Sequence, residues 1–376
     1  MLNIITHPTY KNYGGILQAF ALHTFLKKQK NENKIVCYFS KLWGISLRKR
    51  RLRTKLGDIK RLLAIILCCS NKSLPEFLYQ FYHEWFKFRF FNRWNLDLER
   101  KKLSILAEAK NSFIVGSDQV WRCIYARSIE SVPFFFLNFA TKEQRNNSIA
   151  YAASFGSDEW EGTEEETAEC AKLIKDFKAV SVREHSGVRI CKEVFGVDAV
   201  QMPDPTLLLN QEDYNYLIKN WRTKKISNPF MAIYILDENE KNKMLAHSLC
   251  LESNLYPQHL IPHSGAKKLM DRLPLLVPQW LRFMRDCECV LTDSFHGCAF
   301  SIIFNKPFVC LGNKSRGTAR FDSLLNTFGL QERLVTNPTI GELLKLINTP
   351  IDWQKVNEIR KSEQLRALNF LRTNLI

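Results

Sequence analysis

Short apolar runs alternate along this chain with segments whose apolar residues recur at helical spacing, and that alternation limits the fold more than any other feature. Asn3 to His7 reads as a strand, Gly15 to Lys28 as a helix, and Ser112 to Val115 as a strand ending at Gly116-Ser117-Asp118. Ile149 to Ser154, Glu164 to Lys175, Ala179 to Val182 and His185 to Val194 continue as strand, helix, strand and helix. A turn cluster, Met202-Pro-Asp-Pro205, interrupts the pattern. Both prolines hold their preceding residues extended, so the cluster reads as a hinge. Beyond it the alternation restarts: Phe230 to Leu236, Glu240 to Glu252, Cys289 to Leu291, Ala299 to Phe304 and Phe308 to Leu311. Such alternation is the signature of βαβ units and parallel sheets. At 376 residues the chain exceeds what one core usually organises. The expected fold is therefore α/β, with two Rossmann-like domains facing across a cleft. Residues 1–204 form the first and 205–350 the second, and 351–376 form a helix that packs back on the first.

Hydrophobic residues make up 45% of the chain and charged residues 24%, an ordinary globular composition. Eleven cysteines are scattered without paired spacing and read as reduced core thiols. Cys287 and Cys289 share one face of a strand, but two thiols without partner ligands are weak evidence for metal, and none is expected. The amino terminus shows no signal peptide pattern, and Leu62 to Cys69 is much shorter than the ~20 residues of a spanning helix. A cytoplasmic protein is expected.

The net charge of +16 is unevenly placed. Residues 41–102 hold sixteen Lys or Arg against five Asp or Glu, a surplus of +11. Within this insertion Arg48-Lys-Arg-Arg-Leu-Arg53 precedes an aromatic run from Phe77 to Trp94, where Phe77, Phe81, Trp85 and Phe88 recur at helical spacing. The pattern fits a basic amphipathic helix lying peripherally on an anionic membrane surface. It equally fits an aromatic core face with solvated charges behind it.

Parallel sheets bind ligands beyond the carboxyl ends of their strands, so three loops are candidates. Asn12-Tyr13-Gly14-Gly15 opens a helix, where free backbone N–H groups attract an anion or a sugar oxygen, although the glycines also suit a tight turn. Thr292-Asp293-Ser294-Phe295-His296-Gly297 lies between an apolar strand and an apolar helix. Ser294 suits an N-cap, Gly297 a close approach, and His296 a proton transfer near neutral pH. Gly312 to Phe321 reads as a loop carrying Lys314, Arg316 and Arg320, a set suited to phosphate and carboxylate.

Taken together, five motifs resemble the polysaccharide pyruvyl transferase family. They are Asn12-Tyr-Gly-Gly-Ile-Leu-Gln-Ala19, Gly116-Ser-Asp-Gln-Val-Trp121, Ser181-Val-Arg-Glu184 with Ser186-Gly187, Asp204-Pro-Thr-Leu-Leu-Leu209 and Asp293-Ser-Phe-His-Gly297. They follow one another in that family's order. The resemblance implies a fold similar to GT-B glycosyltransferases, phosphoenolpyruvate as co-substrate, no cofactor and no metal. It implies His296 as the catalytic residue and Arg183 as a donor-binding arginine. Many members carry arginine where this chain has Ser294, so Arg316 and Arg320 are expected to supply the missing cation. The donor set is then Arg183, Ser294, Gly297, Arg316 and Arg320, and the acceptor set Asn12, Tyr13, Gly14, Gly15 and Asp118. The implied acceptor is a saccharide carried on a polyprenyl diphosphate. Two other readings stay open: a nucleotide-sugar glycosyltransferase of similar fold, and a basic nucleic-acid or membrane-binding module. Nucleic acid is not expected as a partner, because the charge lies in one segment while the loops suit small anions.

Overall fold

The computed structural model describes residues 2–7, 12–29, 36–39, 74–91, 94–95, 111–237, 239–262, 273–312 and 318–375. It divides into two compact units, residues 1–205 with 366–376, and residues 206–365.

In the first unit, β1 (Leu2–Thr6), β2 (Val36–Phe39), β3 (Trp94–Asn95), β4 (Ser112–Val115), β5 (Ile149–Ala153), β6 (Ala179–Val182) and β7 (Val200–Gln201) form one parallel sheet in the order β3-β2-β1-β4-β5-β6-β7. Every residue of β1 and β5 is buried. A parallel sheet covered on both faces buries its strands in this way. Ile4 is in register with Cys37 on one side and Ile114 on the other. The strand order therefore reverses between β1 and β4, which makes the ends of these two strands the binding crevice of a doubly wound sheet. Trp121 anchors the turn beyond β4: its ring stacks on Phe136 at 4.9 Å, and its Nε1 donates to the Phe135 carbonyl at 3.0 Å.

Helix α1 (Tyr13–Lys28) begins at Asn12, whose side chain accepts from the Gly15 N–H, and ends with Lys27 and Lys28. The neutral cap satisfies a free N–H at the amino end, and the two lysines suit the negative carboxyl end of the helix dipole. The aromatic run supplies α2 (Leu74–Phe90) and the edge strand β3. The buried residues of α2 include Tyr79, His83 and Phe86, and Phe86 meets Phe20 of α1 at 5.8 Å. Phe77, Phe81 and Trp85 stay half-buried, and Phe77 stacks on Phe81 at 6.0 Å. The stripe read from the sequence is thus offset from the face that α2 buries. The basic run Arg48 to Arg53 and the side chain of Phe88 lie outside the described residues.

The second unit holds a five-stranded parallel sheet of β8 (Phe230–Tyr234), β9 (Tyr256–His259), β10 (Cys289–Thr292), β11 (Phe308–Leu311) and β12 (Leu334–Val335), in the order β12-β11-β10-β8-β9. Met231, Ile233, Leu249, Leu291 and Val309 lie in its core. The order reverses between β8 and β10. Helix α3 (Glu240–Glu252) follows β8, α4 (Phe295–Phe304) follows β10, and α5 (Ala319–Phe328) follows β11. Helix α4 begins four residues earlier than the apolar pattern indicated, and Arg320 and Phe321 sit in the first turn of α5 instead of in a loop. Beyond the proline cluster, Pro205–Leu208 forms a 3-10 turn.

Helix α6 (Trp353–Leu375) contributes to both units, since residues up to Leu365 belong to the second and those from Arg366 to the first. In the first unit Arg366 donates to the Gln201 carbonyl at 2.5 Å, Ala367 and Leu371 are buried, and Phe370 lies 6.2 Å from Tyr151. The described cysteines are free and buried, and burial pushes the Cys287 thiol up to about 12, as expected of inert core thiols. No helix among the described residues is long and apolar enough to cross a membrane.

Candidate active site

Each sheet brings its sequence motifs to its own point of reversal. In the first unit the loops after β1 and β4 meet through side chains. Asn12 caps α1, with its Oδ1 2.8 Å from the Gly15 nitrogen, while its Nδ2 donates to Asp118 at 3.4 Å. A Cβ on Gly15 would lie 2.7 Å from that Asn12 amide, so the glycine makes room for the cap. Gln18 donates to Thr6 Oγ1 at 2.9 Å and accepts from the Ser117 N–H at 3.2 Å. Tyr13 is fully buried, its ring 5.4 Å from His83 and 6.1 Å from Tyr79. It joins α1 to α2, and Gly14 is buried beside it.

Arg183, at the end of β6, is enclosed by protein groups. Its guanidinium donates to Ser117 Oγ at 2.9 Å and lies 3.2 Å from Asp204 and 3.7 Å from Asp118, with 2% of the side chain exposed. Among the described residues the guanidinium faces two carboxylates. Such a buried pair holds geometry more than it adds stability. What it holds is Ser117 and Asp118, the latter in a left-handed conformation at φ 68. The motif proline segment thus delivers Asp204 to Arg183. Glu184 serves another loop: its Oε1 accepts from the N–H groups of Phe155 at 2.6 Å and Gly156 at 3.0 Å.

In the second unit Asp293 ties together the two loops at the reversal. Its Oδ1 accepts from the Leu236 N–H at 2.6 Å and its Oδ2 from the Asp237 N–H at 2.8 Å. Thr292 donates to the Tyr234 carbonyl at 2.7 Å and accepts from the Ser294 N–H at 3.0 Å. Ser294 is the N-cap of α4 but makes no side-chain cap bond. His296 follows in the first turn, 6% exposed, its ring edge-on to Phe295 at 5.2 Å. A Cβ on Gly297 would lie 2.1 Å from Thr292 Oγ1. Gly297 therefore clears space for the threonine that supports the loop. Arg320 is half-buried on α5, and Arg316 lies outside the described residues.

A family model described as polysaccharide pyruvyl transferase matches residues 12–315. The chain belongs to the polysaccharide pyruvyl transferase family. No curated protein matches the sequence significantly. Among solved structures the chain is similar to an O-GlcNAc transferase mutant from Thermobaculum terrenum, with 13% identity, 100% of this chain and 64% of that one covered, and a TM-score of 0.40. It is also similar to the glycosyltransferase of kitacinnamycin, at 12% identity, 100% and 98% coverage and a TM-score of 0.44. The spinosyn forosaminyltransferase SpnP follows at 13% identity, 97% and 94% coverage and a TM-score of 0.44.

The structure brings Asn12 and Asp118 together in the first unit, and gathers Ser294, His296 and Gly297 on one turn of the second. Arg183 belongs to the first unit, whereas Ser294, Gly297 and Arg320 belong to the second. Sequence reasoning passed over His7, at the end of β1. Its Nε2 is 2.6 Å from the Gln119 carbonyl, and burial pushes its pKa below the ordinary 6.5 against the opposing pull of Asp118. His7 is therefore neutral at pH 7 and donates from Nε2. Its place directly after the strand Leu2–Thr6 was the available signal.

Proposed function

We propose that this protein transfers a pyruvyl group from phosphoenolpyruvate to a sugar of a surface polysaccharide, or of its polyprenyl-linked precursor, as a cyclic ketal. The observation that carries the reading is the seat of His296, a titratable ring in the first turn of α4, braced by Asp293 and Thr292 at the reversal of the second sheet. A proton goes to the methylene carbon of phosphoenolpyruvate, which becomes the methyl group and leaves C2 electron-poor. One sugar hydroxyl attacks C2, the C2–O bond to phosphate breaks, and a second hydroxyl closes the ketal. Of the two hydroxyl protons, one balances that taken up by carbon and the other leaves with phosphate. His296 is the group that moves the proton.

Ser294, Gly297 and the amino end of α4 offer polar contacts to the donor, and Arg320 with Arg316 supplies positive charge. Arg183, buried against Ser117, Asp118 and Asp204, takes a positioning role over direct contact with the donor. Asn12 and Asp118 are the groups suited to sugar hydroxyls. The basic segment 41–102 would hold the enzyme at an anionic membrane surface near a lipid-linked acceptor.

The test is incubation with phosphoenolpyruvate and candidate lipid-linked saccharides. Phosphate release coupled to a pyruvyl mass gain is expected, and His296→Ala should lower turnover by about 10²–10⁴ with donor affinity kept. Turnover of a sugar nucleotide with none of phosphoenolpyruvate would replace this reading by a glycosyltransferase.

A further inference from the structure

The turn that carries Asp118, between β4 and the helix Cys123–Ile129, is held from several sides. Asp118 has φ 68 and Gly116 before it φ 120, conformations that persist at a non-glycine residue where the surroundings over-determine them. Successive carbonyls of the turn supply that control, each through a donor from elsewhere in the first unit. The Ser117 carbonyl accepts from Thr6 Oγ1 at 3.2 Å, the Asp118 carbonyl from the Ser154 N–H at 3.0 Å, and the Gln119 carbonyl from His7 Nε2 at 2.6 Å. We propose that His7 is a positioning residue of the acceptor site, holding the turn so that the Asp118 carboxylate stays in place for the sugar hydroxyls. The role of Asp118 rests on the functional reading above, whereas the hold of His7 on the turn stands on the geometry.

Packing sets the direction of the His7 ring, so its N–H is aimed before the bond is made. The ring is 7% exposed, with its centroid 5.1 Å from Phe135 and 6.3 Å from Tyr125, edge-on to the latter. Tyr125 lies in the helix Cys123–Ile129 and Phe135 in the 3-10 turn Pro133–Phe136. His7 thus ties the end of β1 both to the turn and to the two elements that follow it. Burial keeps the ring neutral at pH 7, so it donates without placing a charge beside Asp118.

Gln119 is the right place to hold. Its Oε1 accepts from Arg122 at 3.2 Å, and a Cβ on Gly156 would lie 2.1 Å from that oxygen, so the side chain packs closely on the loop after β5. With the side chain set against one loop and the carbonyl bound to the end of β1, Gln119 is fixed at both ends. Releasing the carbonyl removes a restraint on Asp118 one residue earlier, which relaxes from its left-handed conformation. Its carboxylate then leaves Asn12 Nδ2, which donates to it at 3.4 Å.

Steady-state kinetics on the full chain tests the assignment, with phosphoenolpyruvate and the saccharide that supports phosphate release. His7→Leu keeps apolar bulk but removes the donor, and should raise the KM for the saccharide about tenfold while the KM for phosphoenolpyruvate stays within about twofold. His7→Gln, whose amide N–H reaches toward the place of Nε2, should restore most of the saccharide KM. In an Asp118→Ala background His7→Leu should add less than about twofold, because its effect runs through that carboxylate. A saccharide KM unmoved by His7→Leu, both KM values raised alike, no rescue by His7→Gln, or full additivity with Asp118→Ala would overturn the proposal. If His7→Leu does not fold, His7→Asn takes its place, its amide being too short to reach Gln119. Amide hydrogen exchange across residues 116–122 needs no substrate; it should quicken in His7→Leu and return in His7→Gln, and exchange indifferent to both would also overturn the proposal. No phosphate release by the wild type with any saccharide defeats the transferase reading and leaves exchange to decide on His7, whereas turnover with an unmoved saccharide KM defeats only the His7 assignment.

Discussion

Gly297 offers the sharpest check on how the catalytic turn is built. In Gly297→Ala the new Cβ would lie 2.1 Å from Thr292 Oγ1, 2.7 Å from its Cβ and 2.9 Å from its Cγ2. Rotating Thr292 would remove only the first and last contacts and would forfeit its bonds to Tyr234 and Ser294, worth about 1 kcal/mol each. The contact with Cβ survives any rotation, so α4 must also move away from β10, at the ~1–3 kcal/mol typical of overpacking. Against this, alanine gains about 1 kcal/mol of helix propensity over glycine. The net expectation is a loss of about 2–4 kcal/mol, read as a lower urea midpoint at unchanged slope, together with reduced turnover because His296 rides on the displaced turn. Thr292→Ala combined with Gly297→Ala should cost less than the sum of the single changes by at least about 0.5 kcal/mol, because the two side chains compete for one space. A Gly297→Ala protein as stable as the wild type, or strict additivity, would refute this account of the turn.

Three further outcomes are expected. Arg183→Lys should lower kcat while leaving the KM for phosphoenolpyruvate within about twofold, because the lysine loses the planar fork that holds Ser117 and Asp204; a rise in donor KM with kcat kept would place Arg183 on the donor instead. Burial, aided by Lys27, pushes the His23 pKa down to about 4, so the unfolded chain takes up a proton near 6.5 while the folded one resists. Stability should therefore fall as pH drops from about 6.5 to about 4, by roughly 3 kcal/mol from this group, and equilibrium unfolding of His23→Leu should show a flatter profile over that window. Changing Arg48, Lys49, Arg50, Arg51 and Arg53 to Gln should abolish salt-sensitive co-sedimentation with anionic vesicles; retention of binding by this variant would remove the electrostatic explanation.

Strand positions were the most legible part of the chain. Ser112–Val115, Ala179–Val182 and Phe308–Leu311 have the same limits in the sequence pattern and in the structure, because a strand covered on both faces is largely apolar and turn residues bound it. The start of α4 was masked by Gly297, which reads as a loop residue until the position of Thr292 is known. Helix Val277–Asp286 went unread although Pro278 in its first turn is a helix-start signal. At the site, the residue types at the strand ends were legible but their partners were not. Arg183 meets Ser117, Asp118 and Asp204 across three separate segments, and no local pattern encodes such a meeting. Asp293 was likewise read only as part of a motif, while its work is to bind two backbone N–H groups of a different loop.

The division of α6 between the two units has a consequence for how the protein is made. The first unit's sheet includes β1, which leaves the ribosome early, yet Arg366, Ala367, Phe370 and Leu371 complete the surroundings of Gln201 and Tyr151. Translation at about 5–20 residues per second separates residue 205 from residue 366 by roughly 8–32 s. During that interval the early-made unit is an open-ended scaffold, with a buried seam waiting for a strip of chain that arrives only after the entire second unit has been synthesised. Cutting the gene at the turn near Pro205 would make that wait permanent.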